Sequence, residues 1–431
     1  MRYVYINNFR GFSHSLIPLD QVNFLVGENS TGKSSFLNVL ALVNNPAFWF
    51  SPVFALRDQM EHYSFDDFVS AWAKDKSYFQ IGVLQTTKEK GGKIALTFNI
   101  NEFCERDGEL KLLRHYIISK DNLKTVLFEK NKTRYKTLSF AHRFASEDEA
   151  TTEFLKLASS LRDAIGDLKS FPKDVPPNAP LPLVTSVMQN LESGGEQSND
   201  EFKIEIPMSR NVIWIAPIRT KPKRIYDGIK IGYSPEGEHA PVLLRETLLS
   251  RAKSKTLATR LKEFGDASGL FETIVAHSFG RGAKNPFELM IRFAGAELNI
   301  NNVGYGVSQA LPLVVEFLTS DKSRMFSVQQ PEVHLHPRAQ AALGGLIFEL
   351  AKDQKHAFFI ETHSDYLIDR YRLSMRSNDI PPASQILFFN RTSEGNKVFP
   401  LKISKNGQYP MEQPNEFRDF FVREEMKLLG L

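Results

Sequence analysis

The chain has 431 residues, of which 42% are apolar and 24% charged, which allows one large domain or two to three ordinary ones. A formal charge of +4 gives only weak support for an acidic partner such as nucleic acid. The single cysteine, Cys104, excludes an intrachain disulfide and fits a reducing compartment. The start lacks a signal-peptide layout, and no apolar run approaches the roughly 20 residues that span a bilayer. The expectation is a soluble cytoplasmic protein with no membrane partner.

"RYVYI" and "VNFLV" read as strands, and "SSFLNVLALV" has the apolar spacing of a helix. From about 77 to 145, "SYFQIGVLQ", "GGKIALTFNI", "LLRHYIIS" and "KTVLFEK" alternate with polar turns, which predicts an antiparallel meander. A helix is predicted over 149–168. "FPKDVPPNAPLP" follows, with five prolines from Pro172 to Pro182, too many for helix interior or central strand. "ESGGEQSND" (192–200) is a second loose polar segment. Strand "NVIWIAPI" comes next, then a mostly helical stretch over 241–278. The tail alternates: strand 287–293, helix 307–319, strand 325–329, helix 337–352, strand 357–361, helix 365–375, strand 385–389. That rhythm predicts a parallel sheet with flanking helices. No internal repeat is found, and no sustained heptad pattern occurs between residues 45 and 300.

"GENSTGKSS" carries Gly27, Asn29, Ser30, Thr31, Gly32, Lys33, Ser34 and Ser35 between a strand and a helix, the context a phosphate loop requires. Its glycines let successive N–H groups turn toward a phosphate. Lys33 would reach the β/γ oxygens of ATP, and Ser34 offers a hydroxyl to Mg2+.

Three later segments narrow the class: "NVGYGVSQALPLVV" (302–315), "MFSVQQPEVHLHP" (325–337) and "FFIETHSDYL" (358–367). With "IAPIRTKPKRIY", they resemble the OLD/SMC-related ABC-type ATPases of bacterial anti-phage defence, whose Walker B region commonly reads E-Q-P-E-x-H-L-H-P. PARIS- and Septu-type ATPases are similar in pattern. The resemblance implies an α/β ABC-type ATPase head of mixed and parallel sheet with flanking helices, an N-terminal antiparallel β-subdomain and a helical insertion. Expected bounds are 1–148 for the N-terminal part of the head, 149–280 for the insertion and 281–431 for the C-terminal part.

It further implies head-to-tail dimers or larger homo-oligomers with ATP at each seam. Gly304, Gly306, Ser308 and Gln309 would then face the γ-phosphate held by the other copy. His363 would be the switch histidine, and Arg10 in "NFRGF" would flank the nucleotide. His334 and His336 have a spacing that zinc could use, but no Cys/His cluster completes such a site. They are assigned to the loop that touches the partner copy.

Against the E-Q-P-E pattern, Gln330, Pro331 and Glu332 match, and Gln329 stands where the first glutamate is expected. That acid would hold Mg2+ through water or polarise the attacking water. An amide cannot take the proton or offset divalent charge. Two explanations stay open: a natural slow ATPase, or a Glu-to-Gln change of the kind made to trap ATP, favoured because the other hydrolytic parts are present.

"RTKPKR" (Arg219, Lys221, Lys223, Arg224) is a solvated turn or a phosphate contact, with Arg219 and Arg224 structurally committed if the resemblance holds. No D-x-D follows His363, which disfavours a built-in two-metal nuclease. The expected function is therefore an ATP-dependent sensor and scaffold that controls a separate Toprim-like or HNH effector nuclease, with a phage-encoded trigger. A RecF/SMC-like repair ATPase that binds DNA is the alternative.

Overall fold

The computed structural model describes residues 1–60, 64–119, 122–129, 133–139, 143–162, 168–171, 183–184, 186–187, 211–280, 282, 284–320, 323–353 and 355–420. Nearly all of the proline-rich stretch and the whole of 192–200 lie outside these residues. The chain divides into two compact units: residues 1–19, 28–211 and 389–398, and residues 20–27, 212–388 and 399–431.

In the first unit, β1 (Arg2–Asn7) pairs antiparallel with β2 (Ser15–Leu19). The strand β3 (Val22–Gly27) belongs to the second unit. The meander is present as predicted: β4 (Tyr78–Lys88), β5 (Ile94–Arg106), β6 (Glu109–Ser119), β7 (Asn122–Phe128) and β8 (Thr133–Ser139) pair antiparallel in sequence order. Two short strands, β9 (Arg143–Phe144) and β10 (Lys169–Ser170), pair with β5 and β8. The sequence reading missed β2, which carries Pro18. It lies at the sheet's end beside β1, where a missing N–H costs no ladder bond.

Helix α1 (Lys33–Asn44) follows the phosphate loop. Three short helices come next, α2 (Pro46–Phe50), α3 (Pro52–Gln59) and α4 (Phe65–Phe68). Helix α5 (Glu147–Ser160) starts at the Ser146 cap and ends before the predicted residue 168. Its Phe154 packs edge-on against Tyr5 and Phe98, closing the core on one face of the sheet.

The second unit is built on a sheet ordered β11 (Val212–Ile215), β15 (Met325–Gln329), β16 (Ala357–Glu361), β3, β17 (Ser384–Thr392) and β18 (Gly395–Ile403). The run from β11 to β3 is parallel, as the tail's rhythm predicts. Helices α6 (Ala240–Leu249), α7 (Ser254–Ser268), α8 (Tyr305–Thr319), α9 (Pro337–Asp353) and α10 (Asp365–Arg376) contribute the rest of its core. Gly344 lets α9 approach α10 closely, since a Cβ there would sit 2.1 Å from the Leu367 carbonyl oxygen.

One predicted helix is corrected. The stretch 241–278 is helical only to Ser268, where Gly269 caps α7 in the left-handed conformation at φ 71°. Beyond it β12 (Thr273–Ser278) pairs with β13 (Phe287–Phe293), and β13 pairs with β14 (Ala296–Asn299). The α/β class with antiparallel and parallel sheets stands as read from the sequence. No described helix is long and apolar enough to cross a membrane.

Candidate nucleotide site

The phosphate loop begins where β3 ends at Gly27, and the boundary between the units falls between Gly27 and Glu28. Gly27, Ser30 and Gly32 all have positive φ, at 144°, 62° and 99°. Such turns aim neighbouring N–H groups into one concavity, which is how backbone holds an anion. At Gly32 the requirement for glycine is double: a Cβ would lie 2.7 Å from the Phe12 ring and 2.8 Å from Asn396 Nδ2.

Gly32 also opens α1 with no side-chain cap and no acid in the first turn, so the positive end of the helix faces the loop. Lys33 is 3% exposed, and its Nζ donates to the Glu28 carbonyl at 2.7 Å. Thr31 Oγ1 donates to the same oxygen at 2.8 Å. The loop is thus tied to itself, while Asn29, Ser30 and Ser34 are exposed and Ser35 is half-buried. These groups fit a triphosphate and the serine hydroxyl fits its magnesium.

Arg10 sits near this loop within the first unit. Its backbone N–H donates to the Phe68 carbonyl at 2.8 Å, and its guanidinium lies 5.7 Å from the Phe9 and Phe68 ring centres. The turn that carries it is pinned by Asn396, whose N–H donates to the Gly11 carbonyl at 2.8 Å. Three neighbours were not picked out from the sequence: Asn396, Arg391, which donates to the Ser30 carbonyl, and Trp72 beneath Arg391. Nothing in the sequence near residues 391–396 marks them, because β17 and β18 bring them in from the far end of the chain.

The second unit holds the polar strand ends. Gln329 closes β15 and is in register with Glu361, the last residue of β16. Gln329 Nε2 donates to Glu361 Oε2 at 3.3 Å, and the Gln330 N–H donates to the Glu361 carbonyl at 2.8 Å. Gln330 itself turns the chain at φ 42°. Glu332 is committed to the corner after β16, accepting from Thr362 Oγ1 at 2.8 Å and from the His363 N–H at 2.7 Å. His363 is half-buried, its ring stacked at 6.2 Å on Phe420, and Ser364 next to it caps α10.

Arg219 ties three of these pieces together. It is 4% exposed, and its Nη atoms lie 3.4–3.5 Å from the carbonyls of Gln309, Gln329 and Gln330. Burial pushes its pKa down to about 10, against the pull of Glu332, so it stays charged at neutral pH. Arg224 has an exposed side chain, and its carbonyl accepts from Asn299 Nδ2 at 3.0 Å.

The glycine-serine loop opens α8. Gly304 and Tyr305 are exposed, and Gly306 packs on the next loop, where a Cβ would lie 3.1 Å from the His334 carbonyl oxygen. Ser308 and Gln309 face inward: the Ser308 hydroxyl donates to the Tyr305 carbonyl at 2.9 Å, and both residues are under 5% exposed. His334 meets the Tyr305 ring at 5.3 Å, while His336 Nδ1 accepts from the Ala339 N–H at 3.4 Å, capping α9. Among the described residues no cluster of three His, Cys, Asp or Glu could hold a metal ion.

No curated protein matches the chain. Among solved structures it is similar to the SMC head bound to the C-winged helix domain of ScpA, at 12% identity and TM-score 0.45, over 94% of this chain and 98% of that one. It is also similar to the SMC head domain of Thermotoga maritima, at 13% identity and TM-score 0.39, over 93% and 99%. A third likeness is the Smc head with an extended coiled coil bound to the ScpA C-terminal domain from Pyrococcus furiosus, at 12% and 0.40, over 100% and 99%. The family described as "AAA domain, putative AbiEii toxin, Type IV TA system" matches residues 22–369, from β3 to α10. The chain belongs to this family of nucleotide-binding AAA-type ATPases.

Proposed function

We propose that the protein is the ATP-driven sensor and scaffold of an anti-phage defence system. In this reading it assembles with further copies around ATP and holds a separate effector nuclease in check until a phage-encoded trigger arrives. The observation that carries the reading is Gln329. A phosphate loop of full length is combined with a strand end that has an amide in the acid's position, which suits prolonged occupancy by ATP better than rapid turnover. The family's description names a putative toxin and a toxin–antitoxin system, which is compatible with control of a separate effector.

Chemically, Gly27 to Ser35 would cradle the phosphates, Lys33 would neutralise β/γ charge, and Ser34 would ligate magnesium, which stabilises charge on the transferring phosphoryl group when bound. His363 would donate to the γ-phosphate. Gly304 and Gly306 would meet ATP held by another copy. The test is sedimentation velocity with and without Mg2+-ATP, alongside plaque counts on cells carrying the gene with its neighbours. ATP-dependent assembly and a drop in plaques, both lost in Lys33→Ala, are the expected outcome. A protein that stays one size with ATP, or plaque counts indifferent to Lys33, would refute the reading.

A further inference from the structure

Trp72 is 43% exposed, whereas Trp49 is 5% exposed and Trp214 is half-buried. A large ring left in water gives up burial that would stabilise the fold. The exposure does not come from a loose backbone. Trp72 lies on the turn between α4 and β4, where the Ser70 N–H donates to the Asn8 carbonyl at 2.8 Å and the Trp72 N–H donates to Ser70 Oγ at 3.3 Å.

Two sets of contacts place this ring beside the phosphate loop, all of them inside the first unit. A Cβ on Gly11 would lie 3.3 Å from the Trp72 ring and 2.8 Å from Asn396 Nδ2, and a Cβ on Gly32 would lie 2.8 Å from the same amide nitrogen. Arg391 makes the second link: it donates to the Ser30 carbonyl, and its guanidinium is 5.9 Å from the Trp72 ring centre. Guanidinium groups that cover a ring in this protein sit nearer, at 3.7 Å for Arg372 on Tyr409 and 3.9 Å for Arg162 on Tyr78. Arg391 therefore borders the Trp72 ring without covering it.

We infer that Trp72 is the platform on which the base of the bound nucleotide stacks, and that Arg391 is a positioning residue that sets this platform against the phosphate loop. This rests on the reading that a nucleoside triphosphate binds at that loop. The loop meets only phosphates, which every nucleoside triphosphate shares, so discrimination among nucleotides has to come from a group that meets the base. Stacking gains with the ring area in contact, and a purine offers more than a pyrimidine. The site therefore selects purine triphosphates. A ring that served only to cover Gly11 and Gly395 would act on every ligand of the loop alike, whereas a platform for the base acts only on ligands that carry one.

Three full-length proteins test this: the unaltered chain, Trp72→Ala and Trp72→Phe. Calorimetry with Mg2+ measures ATP, CTP and inorganic tripolyphosphate, which has no base. The unaltered chain should prefer ATP to CTP. Trp72→Ala should weaken ATP at least about fivefold, the low end for a base stacked on an aromatic side chain, and leave tripolyphosphate unchanged. Trp72→Phe should keep most of the ATP affinity. In the unaltered chain ATP should change the tryptophan emission and tripolyphosphate should not, and the change should vanish in Trp72→Phe; this readout does not depend on how Trp72→Ala folds. Equal weakening of ATP and tripolyphosphate in Trp72→Ala, or no weakening of ATP, overturns the assignment. So does an ATP-induced emission change that persists in Trp72→Phe. An unaltered chain that binds tripolyphosphate without preferring ATP to CTP overturns this inference alone. One that binds neither ATP nor tripolyphosphate overturns it together with the proposed function.

Discussion

Replacing Gln329 by glutamate puts two carboxylates where an amide now meets one. The present contact is 3.3 Å between Nε2 and Oε2. Two unit charges at that distance repel by about 5 kcal/mol at an effective dielectric constant of 20. Gln329 is half-buried, so its side chain can swing outward, and the realised cost is set at about 2–3 kcal/mol after that discount. The repulsion exists only when both groups are ionised. In acid, where the added carboxyl is protonated, the variant should therefore approach the unaltered protein. Its deficit should grow as the pH rises and the second proton of the pair is lost. Urea denaturation at pH 4 and pH 7.5 without divalent ions reads this directly, and Mg2+-ATP should restore part of the difference at pH 7.5. A deficit equal at both pH values, or none at either, would show that the two side chains are not partners in solution. Turnover is a second readout: in a natural slow ATPase, with the pocket built around the amide, it should change less than about tenfold. A hundredfold rise would return the acid to residue 329 and favour a trapped variant of a faster enzyme.

Lys33→Ala should weaken ATP binding by about 1.5–3 kcal/mol, the range for hydrogen bonds to charged groups; unchanged calorimetric affinity would remove the loop from the nucleotide site. Gly306→Arg should leave ATP binding by a single chain intact and abolish ATP-dependent assembly, read by sedimentation, because a long cation at this half-buried glycine would fill the space that the proposed assembly needs for the other copy's phosphate. Arg219→Met should cost about 2–3 kcal/mol in urea denaturation, since the carbonyls of Gln309, Gln329 and Gln330 lose their shared donor. His115 is buried with Nδ1 2.7 Å from Asn101 Oδ1, and burial pushes its pKa down to about 4. The unfolded chain therefore binds the extra proton, and stability should fall by about 3 kcal/mol as the pH drops from 6.5 to 4, less so in His115→Gln.

Much of the second unit is legible from local pattern. The strands at 287–293, 325–329 and 357–361 match the structure to the residue, because each is an apolar run bounded by turn residues and flanked by amphipathic helices. The antiparallel meander is legible for the same reason. What local pattern cannot carry is register. The contact of Gln329 with Glu361 joins residues 32 apart in sequence, and the approach of Asn396 to Gly32 spans most of the chain. "ETHSD" draws attention to His363 as a family feature, while the glutamate two positions earlier is equally polar and ends the strand. Ser308 and Gln309 show the opposite failure: their residue types suit phosphate, but they follow the exposed start of α8 and rotate into its buried face. Pro18 hid β2 and Gly269 ended a predicted helix early, both through backbone rules that side-chain hydropathy does not register.

The charge balance at the strand ends gives a physical reason for the amide. Among the groups described there, Arg219 brings one positive charge, while Glu332 and Glu361 bring two negative ones. Glu332 is stabilised by two hydrogen bonds and by its attraction to Arg219, so the corner closes without a metal. Glu361 receives an amide donor from Gln329. A glutamate at 329 would remove that donor and add a third negative charge, making the free protein depend on a cation to hold β15 and β16 together at their ends. With glutamine the two strand ends meet through an amide–carboxylate contact rather than as a repelling pair. The amide thereby ties the end of β15 to the end of β16 through its bond to the Glu361 carboxylate.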